Sequence, residues 1–375
     1  MEFTDVFYSL ENEKQFWIEV DELVSTVSNK LEVEVATSRL ISFFLKYGKP
    51  YLITEIQLQT AAEKLIRSPL FKLDKNTVQT IMLDCFFFME DIHIIKFIVV
   101  FFLLDIRLDD KCVKLLIASG FFGALVQAII RFRDPSEKGM YISFRYGLCL
   151  MYHLCRSQRL PLTDLVTADE SFLKGLLATA EFTWAEEDVE NFSMCMHLLL
   201  SLNEQFMLVK LASTGVVEIQ NGVMNLLSAS KVDTGVYNEG LVFMLNRERD
   251  PRTRMLILKQ LYLLFTTPKT YEIFYTNDLN VLIDVLIREI NDIPNELAKL
   301  RYAYLQVLLP LLQNTQVRLP PHYKTKQIIR AIHNLLISHS QGINCVDAST
   351  VEVLNQILQI PWLREEANKL TVAPV

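Results

Sequence analysis

Glycine and proline are scarce in this chain, 11 and 12 among 375 residues. That is too few for an all-β protein, which needs a turn every ten residues or so. Low Gly and Pro beside abundant Leu, Ile and Phe favours helices joined by short links. Long hydrophobic runs are missing as well. The longest charge-free apolar run, Phe97–Leu104 (FIVVFFLL), is closed after eight residues by Lys96 and Asp105, whereas a membrane-spanning helix needs roughly 20. Leu115–Ile130 is free of charge but is interrupted by Ser119, Gly120, Gly123 and Gln127. A basic excess is absent too: 37 Lys and Arg stand against 44 Asp and Glu, a net charge of −7. This argues against a nucleic-acid backbone as the main partner, local basic patches aside. The N-terminal MEFTDVFYSLENEKQFW is acidic and does not read as a signal peptide. Cysteines 85, 112, 149, 155, 195 and 345 lie in apolar helical segments and never form CxxC, the pattern of buried thiols in a cytosolic protein. Outside secretion, the sequon Asn191-Phe192-Ser193 is chance.

What is present is apolar material, 51% of the residues, in short punctuated blocks. Such blocks must be buried inside a protein, and the pattern predicts stacked helices. Several segments follow one plan, a helix, a small or polar break, then an apolar helix of about 12 residues. They are 112–130, 162–181, 206–230 and 270–290, with breaks near Gly120, Asp169, Gly215 and Asn277. The steps between breaks are 49, 46 and 62 residues. Two of these match the roughly 40–47 residues of armadillo and HEAT repeats, and the third needs an insertion. A repeat of this kind cannot bury its apolar face alone, so neighbours stack on it. The expectation is an all-α, armadillo/HEAT-like α-solenoid, one domain over 1–375, with a helical cap at 1–45 and a frayed tail at 367–375. Arg133-Asp134-Pro135-Ser136 and Arg318-Leu319-Pro320-Pro321 read as loops between repeats.

Phosphate-loop, dinucleotide, serine-hydrolase and zinc signatures are missing. Cys149, His153 and Cys155 come nearest to a metal constellation, but Cys155 lies about 120° round a helix from Cys149. Core residues are the better reading, with no metal and no cofactor. Cys195 and His197 point to different faces, so they form no simple dyad. The carboxylates of Asp109-Asp110 and Glu186-Glu187-Asp188 fall in polar breaks where carboxylates are ordinarily solvated. Nothing in these patterns points to an enzyme.

Asn277–Asn291 (NDLNVLIDVLIREIN) carries a polar stripe. With Asn280 at 0° and about 100° per residue, Asn291 falls near 20°, Asp284 near 40°, Asn277 near 60° and Arg288 near 80°. Leu279, Leu282, Ile283, Leu286 and Ile290 occupy the other side. Two readings stand. The stripe is either a solvated face held by an Asp284–Arg288 pair, worth a few tenths of a kcal/mol at about one turn's spacing, or a lining that orients a partner's helix in a solenoid groove. The next block, Leu297–Leu312, sets Lys299, Arg301, Tyr302 and Tyr304 among leucines. Tyr and Arg are common interface anchors, and Tyr is equally at home in a core. Pro310 should kink or end this helix. Asp250-Pro251 reads as a helix cap followed by proline at the first helical position. The arginines around it either meet an acidic partner or form a solvated loop.

These blocks carry a resemblance. LSLNEQFM (200–207), GLVFMLNRERDP (240–251), LKQLYLLFTTPKTYEIFYTNDLNVLIDVLIREINDIP (258–294) and YLQVLLPLLQNTQ (304–316) are similar to the WISH/DIP/SPIN family of actin regulators, which includes the SH3 protein interacting with Nck. The chain has no SH3 domain and no proline-rich tract, so it looks like the short fungal form. Before residue 200 the likeness is one of architecture.

The resemblance implies an armadillo-like domain that binds and activates the Arp2/3 complex. Activation in this family needs no preformed mother filament, and the product is an unbranched actin filament that seeds later branching. It also implies a cytoplasmic protein of cortical actin patches, active at endocytic sites and touching actin filaments only indirectly. A monomer is expected. WASP-type activators carry an acidic tail with a Trp; here Trp362 sits in PWLREEANKLTVAPV, which has no acidic run. Activation would therefore come from a folded surface. The polar stripe inside the best family block singles out Asn280, Asp284, Arg288, Lys299 and Arg301 as partner-binding residues. The competing reading is a general armadillo-type adaptor with no effect on nucleation.

Overall fold

The computed structural model describes residues 10, 12–132, 140–212, 220–230, 232–340 and 347–372. Among them every regular element is a helix, so the protein is all-α as expected. The chain divides into two compact units, Met1–Ala168 and Asp169–Val375.

The first unit contains α1 (Glu13–Ser25), α2 (Lys30–Tyr47), α3 (Glu55–Arg67), α4 (Pro69–Leu73), α5 (Lys75–Phe88), α6 (Ile92–Ile106), α7 (Asp110–Ala118), α8 (Phe121–Phe132), α9 (Met140–Ser157) and α10 (Leu162–Leu165). Short polar side chains start most of them. Asn12, Asn29, Thr54, Ser68, Asp74, Asp91 and Asp109 each accept a backbone N–H of the first turn, and Thr54 with Gln57 completes a capping box. Each such cap is worth about 1 kcal/mol.

The apolar run lies in α6, at the centre of this unit. Twelve of its fifteen residues are buried, and it packs against α2, α3, α5, α7 and α9. A relay of rings fills the space around it: Phe44 meets Phe97 edge-on at 4.9 Å, Phe101 meets Phe102 at 5.1 Å, and Phe102 meets Phe121 at 5.3 Å. Helix α2 packs on α4, α5 and α6 as well as on α1, so it shares this core.

Asp105 on α6 is fully buried. Lys75 of α5 lies 2.7 Å from its Oδ1, and Gln79 donates to its Oδ2 at 2.6 Å. Burial alone would lower the Lys75 pKa, but Asp105 and Asp109 more than offset this and hold the ammonium above its ordinary value. Asp109 also caps α7 through the Lys111 N–H, which leads the causes that hold its carboxyl below the usual range.

The second unit contains α11 (Glu170–Ala185), α12 (Val189–Ala212), α13 (Gly222–Leu227), α14 (Gly235–Arg247), α15 (Pro251–Thr266), α16 (Thr276–Asp292), α17 (Ala298–Asn314), α18 (Thr325–Ser340), α19 (Ala348–Leu358) and α20 (Pro361–Val372), with 3-10 turns at Asn295–Leu297 and Gln316–Arg318. By length and composition Val189–Val209 could cross a membrane, yet 67% of it is buried inside the fold, as a core helix is. Helix α17 packs against α15, α16 and α19 and buries ten residues. Pro310 is one of the ten, and the helix does not end there but runs on to Asn314. The lost Pro310 N–H is offset by the burial of Leu308, Leu311 and Leu312 on either side of it.

The predicted breaks fare unequally. Gly120 adopts φ +73° between α7 and α8, a left-handed conformation that glycine takes without strain. Asp169 caps α11, and Asp250 caps α15 with Pro251 at the first helical position. The break near Asn277 ends at Tyr275, and α16 begins at Thr276, so Asn277 itself is in the first turn. Gly215, Cys345 and the loop at 133–136 lie outside the described residues. Helix α20 runs through Val372, into the segment expected to fray. The sequon Asn191 is buried and donates to Asp188 at 2.8 Å.

Asp105→Ala would leave the buried Gln79 amide without its acceptor and Lys75, which is half-buried, with Asp109 as its remaining carboxylate partner. Breaking a buried pair costs at most about 3–5 kcal/mol; with Asp109 still beside Lys75 the loss should be about 3 kcal/mol, read as a lower midpoint in urea unfolding. Asp109→Ala, which removes a cap and an exposed pairing, should cost about 1 kcal/mol. Equal losses for the two variants would show that burial of Asp105 is not what matters.

Candidate functional site

Helix α16 has two unlike faces. Leu279, Leu282, Ile283, Val285, Leu286 and Ile290 are buried against the rest of the second unit. Asn277, Arg288 and Asn291 are exposed, and Asn280 and Asp284 are half-buried. The predicted stripe is therefore an accessible polar face.

Its internal pairing differs from the expected one. Asp284 does not pair with Arg288. Its Oδ1 is 2.7 Å from Lys324 Nζ, and the Tyr323 hydroxyl donates to its Oδ2 at 3.1 Å. Arg288 turns the other way, donating to Asn246 Oδ1 at 2.9 Å and to Glu289 Oε1 at 2.9 Å. The reason is geometric. Each side chain has a tertiary partner at the helix flank, and an exposed pair one turn apart gains too little to compete. Residues just before α18 thus brace one edge of the face, and the end of α14 braces the other. Asp284 holds the Lys324 ammonium above its ordinary pKa. Beneath the edge, Arg254 of α15 pairs with Glu289, and its guanidinium lies 5.5 Å from the centre of the Tyr304 ring.

The residues singled out on α17 separate. Lys299 is exposed on its first turn. Arg301 is buried, and its guanidinium donates to the Ile293 carbonyl and to Asn295 Oδ1. It ties the α16–α17 link together and is not part of the open face. Tyr304 is fully buried in the core, whereas Tyr302 is half-buried and accepts from Gln306 at 3.0 Å. Tyr323, Lys324 and Asn246 complete the face but were missed from sequence. They reach it from 39 to 42 positions away along the chain, where helical periodicity gives no signal.

Trp362 is held by the fold. Its ring stacks on His322 at 4.3 Å and 13°, and its Nε1 donates to the Leu312 carbonyl at 3.2 Å. The carboxylates of the polar breaks serve as helix caps: Asp109 accepts from the Lys111 N–H and Asp188 from the Asn191 N–H. Among the described residues no group of three or more His, Cys, Asp or Glu could hold a metal ion. Burial raises the Cys149 thiol and lowers the His153 imidazole from their ordinary values.

The fold and this face define a leucine-rich, all-α protein whose candidate site is a braced polar surface. The SPIN90/Ldb17 leucine-rich domain matches residues 188–328, the stretch that holds every sequence block quoted for the resemblance. The chain is 59% identical over 373 residues to protein dip1 of Schizosaccharomyces pombe, covering 100% of both chains. It is 31% identical over 227 residues to protein LDB17 of Saccharomyces cerevisiae, 57% of this chain and 44% of that one. Protein LDB17 of Eremothecium gossypii is 23% identical over 352 residues, 85% and 74% of the two chains. The chain belongs to the DIP/SPIN90 family.

Exchanging the braced pair, Asp284→Lys with Lys324→Asp, should keep the thermal midpoint within about 1 °C of the parent, since an exposed pair is worth at most about 1 kcal/mol. Arg288→Glu would set two carboxylates side by side at Glu289 and should lower the midpoint by a few degrees, about 2–4 °C. The reverse ranking would mean that Asp284 and Lys324 have neighbours that cannot accept the exchange.

Proposed function

We propose that this protein is a non-enzymatic activator of the Arp2/3 complex. It promotes nucleation of unbranched actin filaments without a preformed mother filament, and those filaments seed branched networks at endocytic cortical patches in the cytoplasm. The observation that carries the reading is the likeness to protein dip1 along the whole chain, at 59% identity. In this reading the helices stack as an armadillo-like solenoid, and the chain acts as a monomer.

Two features of the second unit support activation by a folded surface. Trp362 is engaged with His322 and Leu312, so it is not presented as the tryptophan of an acidic tail. The face of α16 is polar, accessible and braced at both edges. Asn280, Asp284, Arg288 and Lys299 are the residues we assign to partner contact. Arg301 serves by fixing the link that presents Lys299.

Activation by such a surface is differential affinity. A ligand shifts a conformational equilibrium only as far as it prefers one state. Moving a nucleator from 1:99 to 99:1 takes about 5.5 kcal/mol, an amount within the reach of an interface of ordinary size.

Pyrene-actin assembly with purified Arp2/3 complex, and no added filaments or WASP-type fragment, tests the reading. Faster assembly, with linear filaments seen by single-filament microscopy, is expected. Arg288→Glu combined with Lys299→Glu should slow it by roughly tenfold or more, a loss of about 1.4 kcal/mol in binding, at unchanged helical circular dichroism. No stimulation, or stimulation only of branching, would favour the adaptor.

A further inference from the structure

We propose that the α14–α15 turn is a docking surface for an acidic segment of a protein partner. In the sequence this stretch alternates in sign: residues 246–254 contain four arginines and two carboxylates. The fold separates them. The Glu248 carboxylate turns inward to accept the backbone N–H groups of Arg249 and Asp250, at 2.7 and 2.8 Å. The Asp250 carboxylate accepts from the Thr253 N–H and hydroxyl, at 2.9 and 2.8 Å. Arg254 pairs with Glu289. Both carboxylates are thus engaged in building the turn, and Arg247, Arg249 and Arg252 are left exposed. None of these three guanidinium groups forms an ion pair or hydrogen bond among the described residues.

Arg247 is also pre-set. Its guanidinium lies 4.3 Å from the centre of the Phe243 ring, and Phe243 packs edge-on against Trp184 at 5.2 Å. Stacking occupies the flat face of a guanidinium and leaves its N–H edge open, the edge that grips a carboxylate with two hydrogen bonds. Fixing that group beforehand lowers the ordering cost of binding. Arg252 lies in the first turn of α15, at the positive end of the helix, where a cation is disfavoured unless an anion meets it. Arg288, tied to Asn246 at 2.9 Å, joins this patch to the face of α16.

The chemistry favours a protein over a membrane or a nucleic acid. Basic elements that lie on bilayers pair their charges with Trp, Phe or Leu that enter the lipid, and among the described residues no large apolar side chain between Leu208 and Tyr262 in sequence is exposed. A nucleic-acid backbone is bound by neutralising a long track of phosphates, and three arginines within one turn provide no such track. A short run of Asp and Glu side chains fits three open guanidinium edges within one turn. The proposal makes no use of the actin reading and stands or falls separately from it.

Fluorescence anisotropy of a labelled Asp- and Glu-rich dodecapeptide with the full chain tests it. Binding is expected at about 50 mM salt and should weaken markedly by about 150 mM, as screening shortens the Debye length. Replacing the acids by Asn and Gln should abolish it. The triple variant Arg247→Glu, Arg249→Glu, Arg252→Glu should bind at least about tenfold more weakly, at unchanged circular dichroism. A control of identical net charge, Lys111→Glu, Lys114→Glu, Arg131→Glu, exposed on the first unit, should bind like the parent. No binding at low salt, or equal loss in the two triple variants, would overturn the proposal. So would binding to phosphatidylserine vesicles that depends on the three arginines while the peptide stays inert.

Discussion

No helix of this chain can bury its own apolar face, and every other feature follows from that. Helix α6 is apolar almost all round because neighbours meet it from several sides, and α17 is in the same position in the second unit. A helix buried on two or more sides loses its periodic stripe and reads as nearly continuous hydrophobe. The cost of this arrangement shows where polar groups are drawn in. Asp105 sits in the core only because Lys75 and Gln79 come with it, and Arg301 only because the α16–α17 link offers it a carbonyl and an amide oxygen.

The same packing fixes the one-sided helices. The apolar face of α16 is locked into the second unit, so its polar residues face outward as a set. The ion pair and hydrogen bonds along that face add little to stability. They do fix position: Asp284 is drawn toward Tyr323 and Lys324, and Arg288 toward Asn246. A face held from both edges loses little side-chain freedom when a partner arrives, which is where such a surface gains affinity.

Much of this was legible in the sequence. The scarcity of Gly and Pro gave the all-α class. The Asp250-Pro251 cap and the wheel of α16 were read to the residue, because each depends on local spacing alone. What was not legible depended on distant chain. Periodicity suggested that Asp284 would pair with Arg288, since it sees only one helix, and the partners come from α14 and from the turn before α18. Pro310 locally signals a helix end, yet α17 continues past it with Leu308, Leu311 and Leu312 buried on both sides. Arg301 looked like Lys299 in composition, yet one is buried and the other exposed. The alternating charges of 246–254 looked balanced until the carboxylates were seen to cap backbone N–H groups.

In the proposed function a folded face of the second unit, the polar side of α16 with the start of α17, meets the partner. Amide hydrogen exchange of the full chain, alone and saturated with Arp2/3 complex, measures this directly. Slower exchange along Thr276–Asp292 and the start of α17, with little change in α20, is the result predicted. Slowing confined to α20, or to the first unit alone, would contradict it.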